Sequence, residues 1–214
     1  NVQGDAEVVK VSGLSATVSV LHSEVANDRL EINTLDGRDA VDSSGLAAGA
    51  IQLFVDGGAG DDTIAGAQGI ETLLGGDGND SLDGNGGNDR ALLGAGDDTF
   101  VWDPGDGSDT IEGEAGSDTM RFNGANIVEQ VDLSANGNRL RFFRTQANIT
   151  MDTAGVERVD FNALGGADVV IVGDLTGTDV GSVNLDLAST LGGAEGDGQI
   201  DRVIAEGTNG GDRI

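Results

Sequence analysis

The sequence contains no cysteine and no tyrosine, and only one proline, one tryptophan and one histidine among 214 residues. Without cysteine there can be no disulfide, no thiolate metal site and no cysteine nucleophile. One histidine and no cysteine also disfavour zinc. A Ser-His-Asp triad would have to use His22, which no G-x-S-x-G elbow accompanies; His22 reads as a surface or strand-edge residue. Aromatics at 3% are too few for a conventional thick core. Cations are scarce: 11 Lys+Arg stand against 38 Asp+Glu, a formal charge of −27. That balance argues against nucleic-acid phosphates or anionic lipid as partners. No apolar run approaches about 18 residues, so no membrane insertion is expected. No basic n-region followed by an apolar h-region opens the sequence, so no signal peptide is visible.

What the chain has in excess is glycine, 37 residues, more than double the usual share of about 7%. A glycine-rich, acidic chain poor in aromatics is also what disorder looks like. The pattern argues otherwise. From Gly57 the chain divides into nines, the cleanest being Gly75-Gly76-Asp77-Gly78-Asn79-Asp80-Ser81-Leu82-Asp83. The unit Gly66 to Leu74 keeps the frame but decays, and an insertion, Trp102-Asp103, shifts it before Pro104–Glu112 and Gly113–Arg121. The sixth position reads Asp62, Glu71, Asp80, Asp89, Asp98, Asp109, Asp118. The eighth reads Ile64, Leu73, Leu82, Ala91, Phe100, Ile111, Met120.

These units resemble G-G-x-G-x-D-x-U-x, the calcium-binding nonapeptide of the RTX (repeats-in-toxin) family. The resemblance covers residues 57–121. It implies an all-β fold, a right-handed parallel β-roll or β-helix solenoid, with each ion between the turns of units n and n+2. Seven units then offer on the order of five calcium sites. The resemblance also implies export by a type I route, folding outside the cell, and a secreted or cell-surface location.

The residues support that reading physically. Calcium takes six to eight oxygens from carboxylates and carbonyls, and glycine lets a turn aim its carbonyls at one point. Thr63, Ser81, Thr99, Thr110 and Thr119 with their apolar neighbours favour short strands. Two units per rung stack Asp62, Asp80, Asp98 and Asp118 on one side and Glu71, Asp89 and Asp109 on the other. Rungs about 4.8 Å apart would set carboxylates repelling by roughly 3.5 kcal/mol per pair at an effective dielectric of about 20. A divalent ion converts that repulsion into coordination. The candidate ligands are Gly57, Ala59, Asp62, Gly75, Asp80, Gly84, Gly87, Asp89, Ala95, Asp98, Gly105, Asp109, Ala115 and Asp118, with the side chains of Asp77, Asn79, Asn88 and Asp106 as second choices. Asp62/Asp80, Asp80/Asp98 and Asp98/Asp118 make the best pairs. Asp89/Asp109 spans the insertion, and Glu71/Asp89 is the weakest.

Outside the nonapeptides, period-two alternation marks strands at Val9–Val11, Val18–Val20, Leu30–Ile32 and Ile51–Val55. It recurs at Val131–Leu133, Leu140–Phe142, Ile149–Met151, Val159–Phe161, Val169–Ile171 and Val183–Leu187. The even spacing predicts β-helix-like rungs over 1–55 and 122–190 around the β-roll of 56–121, with a second, truncated block from 191 to 214. Arg29, Asn33, Leu35, Gly37, Asp39, Val41 and Leu46 recur 129 residues later as Arg158, Asn162, Leu164, Gly166, Asp168, Val170 and Leu175. Asp39, Asp168, Asp201 and Asp212 therefore sit in degenerate turns, where solvated carboxylates are expected ahead of ligands. The chain reads as a piece of a longer array belonging to a larger parent protein. Trp102 reads as a hydrophobic plug at the frame shift. Arg139, Arg141 and Arg144 read as a solvated strand face, with an anionic glycan or the acidic flank of a neighbouring rung as alternatives. The functional expectation is a calcium-binding structural module without catalytic activity of its own. The alternatives are an adhesive or glycan-binding module and the accessory tail of a larger secreted enzyme.

Overall fold

The computed structural model describes residues 1–208. The strands, in chain order, are β1 (Val2–Gly4), β2 (Val8–Val11), β3 (Val18–Leu21), β4 (Arg29–Asn33), β5 (Ala40–Asp42), β6 (Gly45–Leu46), β7 (Gln52–Ala59), β8 (Thr63–Ala65), β9 (Thr72–Asp77), β10 (Ser81–Asp83) and β11 (Arg90–Gly96). They continue with β12 (Thr99–Trp102), β13 (Thr110–Gly116), β14 (Thr119–Asn123), β15 (Gln130–Asn136), β16 (Arg139–Arg144), β17 (Ile149–Ala154), β18 (Arg158–Asn162), β19 (Val169–Val172), β20 (Ser182–Asp186) and β21 (Arg202–Ala205). The helical content among the described residues is one 3-10 turn, Gln146–Asn148.

Within the nonapeptides, odd and even strands separate into two sheets. One runs β7-β9-β11-β13, the other β8-β10-β12-β14, all pairs parallel. Ser81 pairs with Thr63 and with Thr99, so a rung takes two nonapeptides. Thr99 pairs with Thr119, two residues later than that period, which is the inserted pair absorbed at the turn after Trp102. Strand residues alternate inward and outward. The inward eighth position, from Ile64 to Met120, is fully buried in every unit, including small Ala91. Each large aliphatic there contributes about 1.5–3 kcal/mol.

At and past the insertion, rings fill the core. Trp102 stacks on Phe122 with centroids 3.9 Å apart and planes 6° from parallel. Phe122 meets Phe142 at 4.4 Å and Phe161 at 5.9 Å. Trp102 is 1% exposed and its indole N–H donates to the Gly107 carbonyl at 2.8 Å, so it is the plug the sequence suggested.

The flanking segments form the strands that alternation predicts, but not all are parallel rungs. β4 and β5 do extend the two sheets in parallel, as do β18, β20, β19 and β21. In contrast, β1-β2-β3 and β15-β16-β17 are antiparallel meanders. Connection length explains the difference. β15 and β16 are separated only by Gly137-Asn138, with Gly137 at φ +68°, and a two-residue link admits a hairpin but no crossover. Alternation reports which face a strand buries, not its direction. No helix among the described residues is long and apolar enough to cross a membrane.

Candidate metal centre

The turn of each nonapeptide carries the chain from one sheet to the other, its first residues continuing strands β7, β9, β11 and β13 on one edge. The fourth-position glycines Gly60, Gly78, Gly96 and Gly116 hold φ between +122° and +147°, a region closed to residues with a Cβ. Their amides cross to the next rung, Gly60 to the Asp77 carbonyl at 2.6 Å and Gly78 to the Ala95 carbonyl at 2.8 Å. First-position glycines serve the carboxylates instead. A Cβ on Gly57 would lie 2.6 Å from Asp62 Oδ2 and 2.5 Å from the Gly75 carbonyl oxygen. Gly75 stands in the same relation to Asp80 Oδ2 and the Leu93 carbonyl, and Gly113 to Asp118 Oδ2 and the Gly155 carbonyl. Gly84 faces Asp89 Oδ2 at 2.5 Å.

The sixth-position carboxylates point inward and are buried, Asp118 at 0% exposure. In each aspartate, Oδ1 reaches back one rung and accepts the amide of the preceding acid. Asp80 takes the N–H of Asp62 at 2.8 Å, Asp98 that of Asp80 at 2.7 Å and Asp118 that of Asp98 at 2.9 Å. On the opposite edge Asp89 takes the N–H of Glu71 at 2.7 Å and Asp109 that of Asp89 at 2.8 Å. The second oxygen is different. Oδ2 of Asp62, Asp80, Asp89, Asp98, Asp109 and Asp118 is buried with no hydrogen-bond partner. A buried polar atom without a partner costs about 1–3 kcal/mol, and a buried unpaired charge costs more.

Burial accordingly pushes these carboxyls up from their ordinary value of 3.8, Asp80 to about 6, Asp109 and Asp118 to about 7 and Asp89 to about 9. Neighbouring acids add to the rise, Asp98 and Asp62 for Asp80, Glu71 and Asp109 for Asp89. Asp62 and Asp98 are raised by the same desolvation.

Unpartnered oxygens beside inward carbonyls suit a hard cation with many oxygen ligands, such as calcium. No three acidic or imidazole side chains converge on one point among the described residues, so carbonyls must complete any coordination shell. The donor set fits the calcium that the sequence implies. The unpartnered Oδ2 atoms are those of Asp62, Asp80, Asp89, Asp98, Asp109 and Asp118, and Gly57, Gly75 and Gly84 lie against those of Asp62, Asp80 and Asp89. Ala59, Ala95 and Ala115 occupy matching third positions in register, and the Ala59 carbonyl accepts the Gly37 amide at 2.7 Å.

Other candidates are placed differently. Gly105 lies in the turn opened by the insertion, where a Cβ would meet nothing within 4 Å. Gly107 makes a close approach to the Gly87 carbonyl. Asp106 Oδ2 accepts the Asp103 amide at 2.5 Å and closes that local turn. The Asp77 side chain is exposed. Asn79 and Asn88 hold rungs together, accepting the amides of Asp97 at 2.8 Å and Ser108 at 2.9 Å. Asp61 and Asp97 do likewise for Asn79 and Ser117. This fifth-position ladder reaches forward one rung while the sixth position reaches back. The recurrent Asx-Asp pairs 61–62, 79–80, 88–89 and 97–98 were its sequence signal.

The arginines are not a free solvated face. Arg139 bonds Asp152 at 2.7 Å and Glu112, a neighbouring-rung acid, at 3.0 Å. Arg141 lies over Phe143 and 3.7 Å from Asp132. Arg144 is buried and pairs with buried Glu129. The acidic flank of neighbouring strands is therefore their partner. His22 is exposed, at φ 56°. Asp212 lies outside the described residues.

The family model described as the RTX calcium-binding nonapeptide repeat matches in four copies, over residues 54–70, 65–100 and 105–126. The unmatched residues between the last two segments, 101–104, contain the Trp102-Asp103 insertion. No curated protein matches the chain.

Proposed function

We propose, from the premise that residues 54–126 carry RTX calcium-binding nonapeptide repeats, that this chain is a calcium-folded structural module of a larger secreted or cell-surface protein. The observation that carries the reading is the row of buried Oδ2 atoms without partners at Asp62, Asp80, Asp89, Asp98, Asp109 and Asp118. Calcium would supply positive charge to these oxygens and bind adjacent rungs together. The chain itself holds the carboxylates in place through Oδ1, shapes the turns with glycine, and excludes water by burial. A site of six or more oxygens with affinity of about 10⁻⁴–10⁻³ M fills at extracellular calcium and empties at cytosolic calcium. Metal binding energy then becomes folding energy only outside the cell, which suits a chain that must leave the cell unfolded.

Far-UV circular dichroism tests this. The expected outcome is strand signal in millimolar calcium and coil signal in chelator, with magnesium a poor substitute because it dehydrates reluctantly. Asp80→Ala should shift the calcium midpoint upward, since it removes one carboxylate oxygen and strands the Asp62 amide. A strand spectrum indifferent to chelator would overturn the reading.

A further inference from the structure

We propose a calcium site outside the matched repeats, between the turns 163–168 and 196–201, with Asp168 and Asp201 as its carboxylate ligands. Three features of the nonapeptide turns recur there. Asp168 Oδ1 accepts the amide of the preceding acid, Glu129, at 2.8 Å. The Asp168 amide in turn donates to Asp201 Oδ1 at 3.0 Å. The Asp168 side chain is 1% exposed, and its Oδ2 is buried without a partner. That orphaned oxygen is the signature shared by the six repeat aspartates, and nothing among the described residues satisfies it.

The backbone follows the same path. Gly166 holds φ +140°, inside the range of the repeat glycines Gly60 to Gly116. Leu164 takes φ +64° where Gly58, Gly76 and Gly94 stand in the repeats, although leucine disfavours that region. Ala163 replaces the first glycine, which is why the sequence pattern fades here while the turn persists. Asp197 lies on the same edge, its Oδ2 accepting the Gly166 amide at 2.7 Å.

The turns that end in glutamate make the contrast. Glu71 Oε2 and Glu129 Oε2 fold back onto their own turns and accept the amides of Ala67 at 3.0 Å and Ala125 at 3.1 Å. Neither glutamate leaves an orphaned oxygen, and neither turn has a residue at positive φ. Glu129 also carries its own cation, Arg144. The edge therefore passes from the repeat sites through a self-closed rung at Glu129 to an open one at Asp168. A hard divalent cation, held by the two carboxylates and carbonyls of the two turns, answers the Asp168 oxygen as it would those of the repeats.

This inference rests on the calcium reading of the repeats, and ion counting separates the two. Equilibrium dialysis of the full chain in saturating calcium gives the number of ions bound. Asp168→Asn keeps an oxygen for the Glu129 amide and removes the charge. It should bind one ion fewer than the parent while retaining its strand spectrum. Glu195→Gln, an exposed acid beside the same turn, should bind the parent number. An unchanged count in Asp168→Asn overturns the site and leaves the repeats standing; no calcium bound by the parent overturns both. If Asp168→Asn does not fold, a crystal structure of the parent grown in calcium decides. An anomalous peak within about 2.6 Å of Asp168 Oδ2 supports the site, and water there ends it.

Discussion

At the residue scale the sixth-position aspartate divides its work between two oxygens. Oδ1 is a structural acceptor, bonded across the rung to the amide of the preceding acid. Oδ2 has no partner among the described residues, so in the absence of metal a proton is what can relieve it. The carboxyls of Asp80, Asp118, Asp109 and Asp89 are raised from 3.8 into the range of about 6 to 9 by burial. A carboxyl whose pKa rises on folding holds a proton in the folded chain that the unfolded chain releases. Stability from that proton is fully present below the unfolded value and is lost as pH climbs through the folded one. The metal-free chain should therefore hold most structure near pH 4–5 and lose it progressively between pH 6 and 9, as circular dichroism in chelator would record. Calcium should reverse the trend, since protons and the ion compete for the same oxygen. Metal-free structure that instead grew with pH would show that the carboxylates are paired in a way the geometry does not reveal.

At the element scale the unit of construction is one turn plus one short strand, and the turn comes in two forms. Aspartate turns use glycines at positive φ and leave an oxygen over; glutamate turns at 66–71 and 124–129 have no residue at positive φ and close on themselves. The Glu129 turn adds Arg144, which also bonds the Gln146 carbonyl at 3.1 Å and lies over Trp102. Removing one partner of a buried pair costs about 3–5 kcal/mol. Arg144→Ala should therefore lower stability by that order, measured by denaturant unfolding in saturating calcium, with the number of bound ions unchanged. Adding Glu129→Gln should recover part of the loss, because the orphaned charge goes with it. Loss without recovery would assign the effect to packing against Trp102 instead. The sequence reveals the aspartate turns because their glycines and acids are local and recur every nine residues. Arg144 and Glu129 are fifteen residues apart in a meander without a repeat, so only tertiary structure joins them. The meanders themselves escaped the pattern for a related reason: alternation at Leu140–Phe142 and Ile149–Met151 marks burial correctly and carries no information about strand direction. Asp168 was legible as a position, but its burial was not, because Ala163 and Leu164 stand where the glycines should be.

At the scale of the whole molecule the rungs share one core and two continuous sheets, so sites distant in sequence stabilise the same folded state. A formal charge of −27 opposes compaction, and burial concentrates part of it along two edges. Each ion that binds only the folded chain contributes RT ln(1 + [Ca]/Kd), about 1.4 kcal/mol at ten times Kd. Five such sites would together supply about 7 kcal/mol, comparable to the net stability of an ordinary domain, about 5–15 kcal/mol. The melting temperature should thus climb steeply with the logarithm of calcium concentration, and the steepness counts the ions taken up on folding. Calorimetry across about 0.1–10 mM calcium would measure it. Sodium chloride matched in ionic strength should produce only a small rise, since screening weakens repulsion between exposed charges without satisfying a buried oxygen. If sodium reproduced the calcium effect, diffuse repulsion rather than the orphaned Oδ2 atoms would govern the fold. A slope corresponding to a single ion would mean that the edges fill independently of folding.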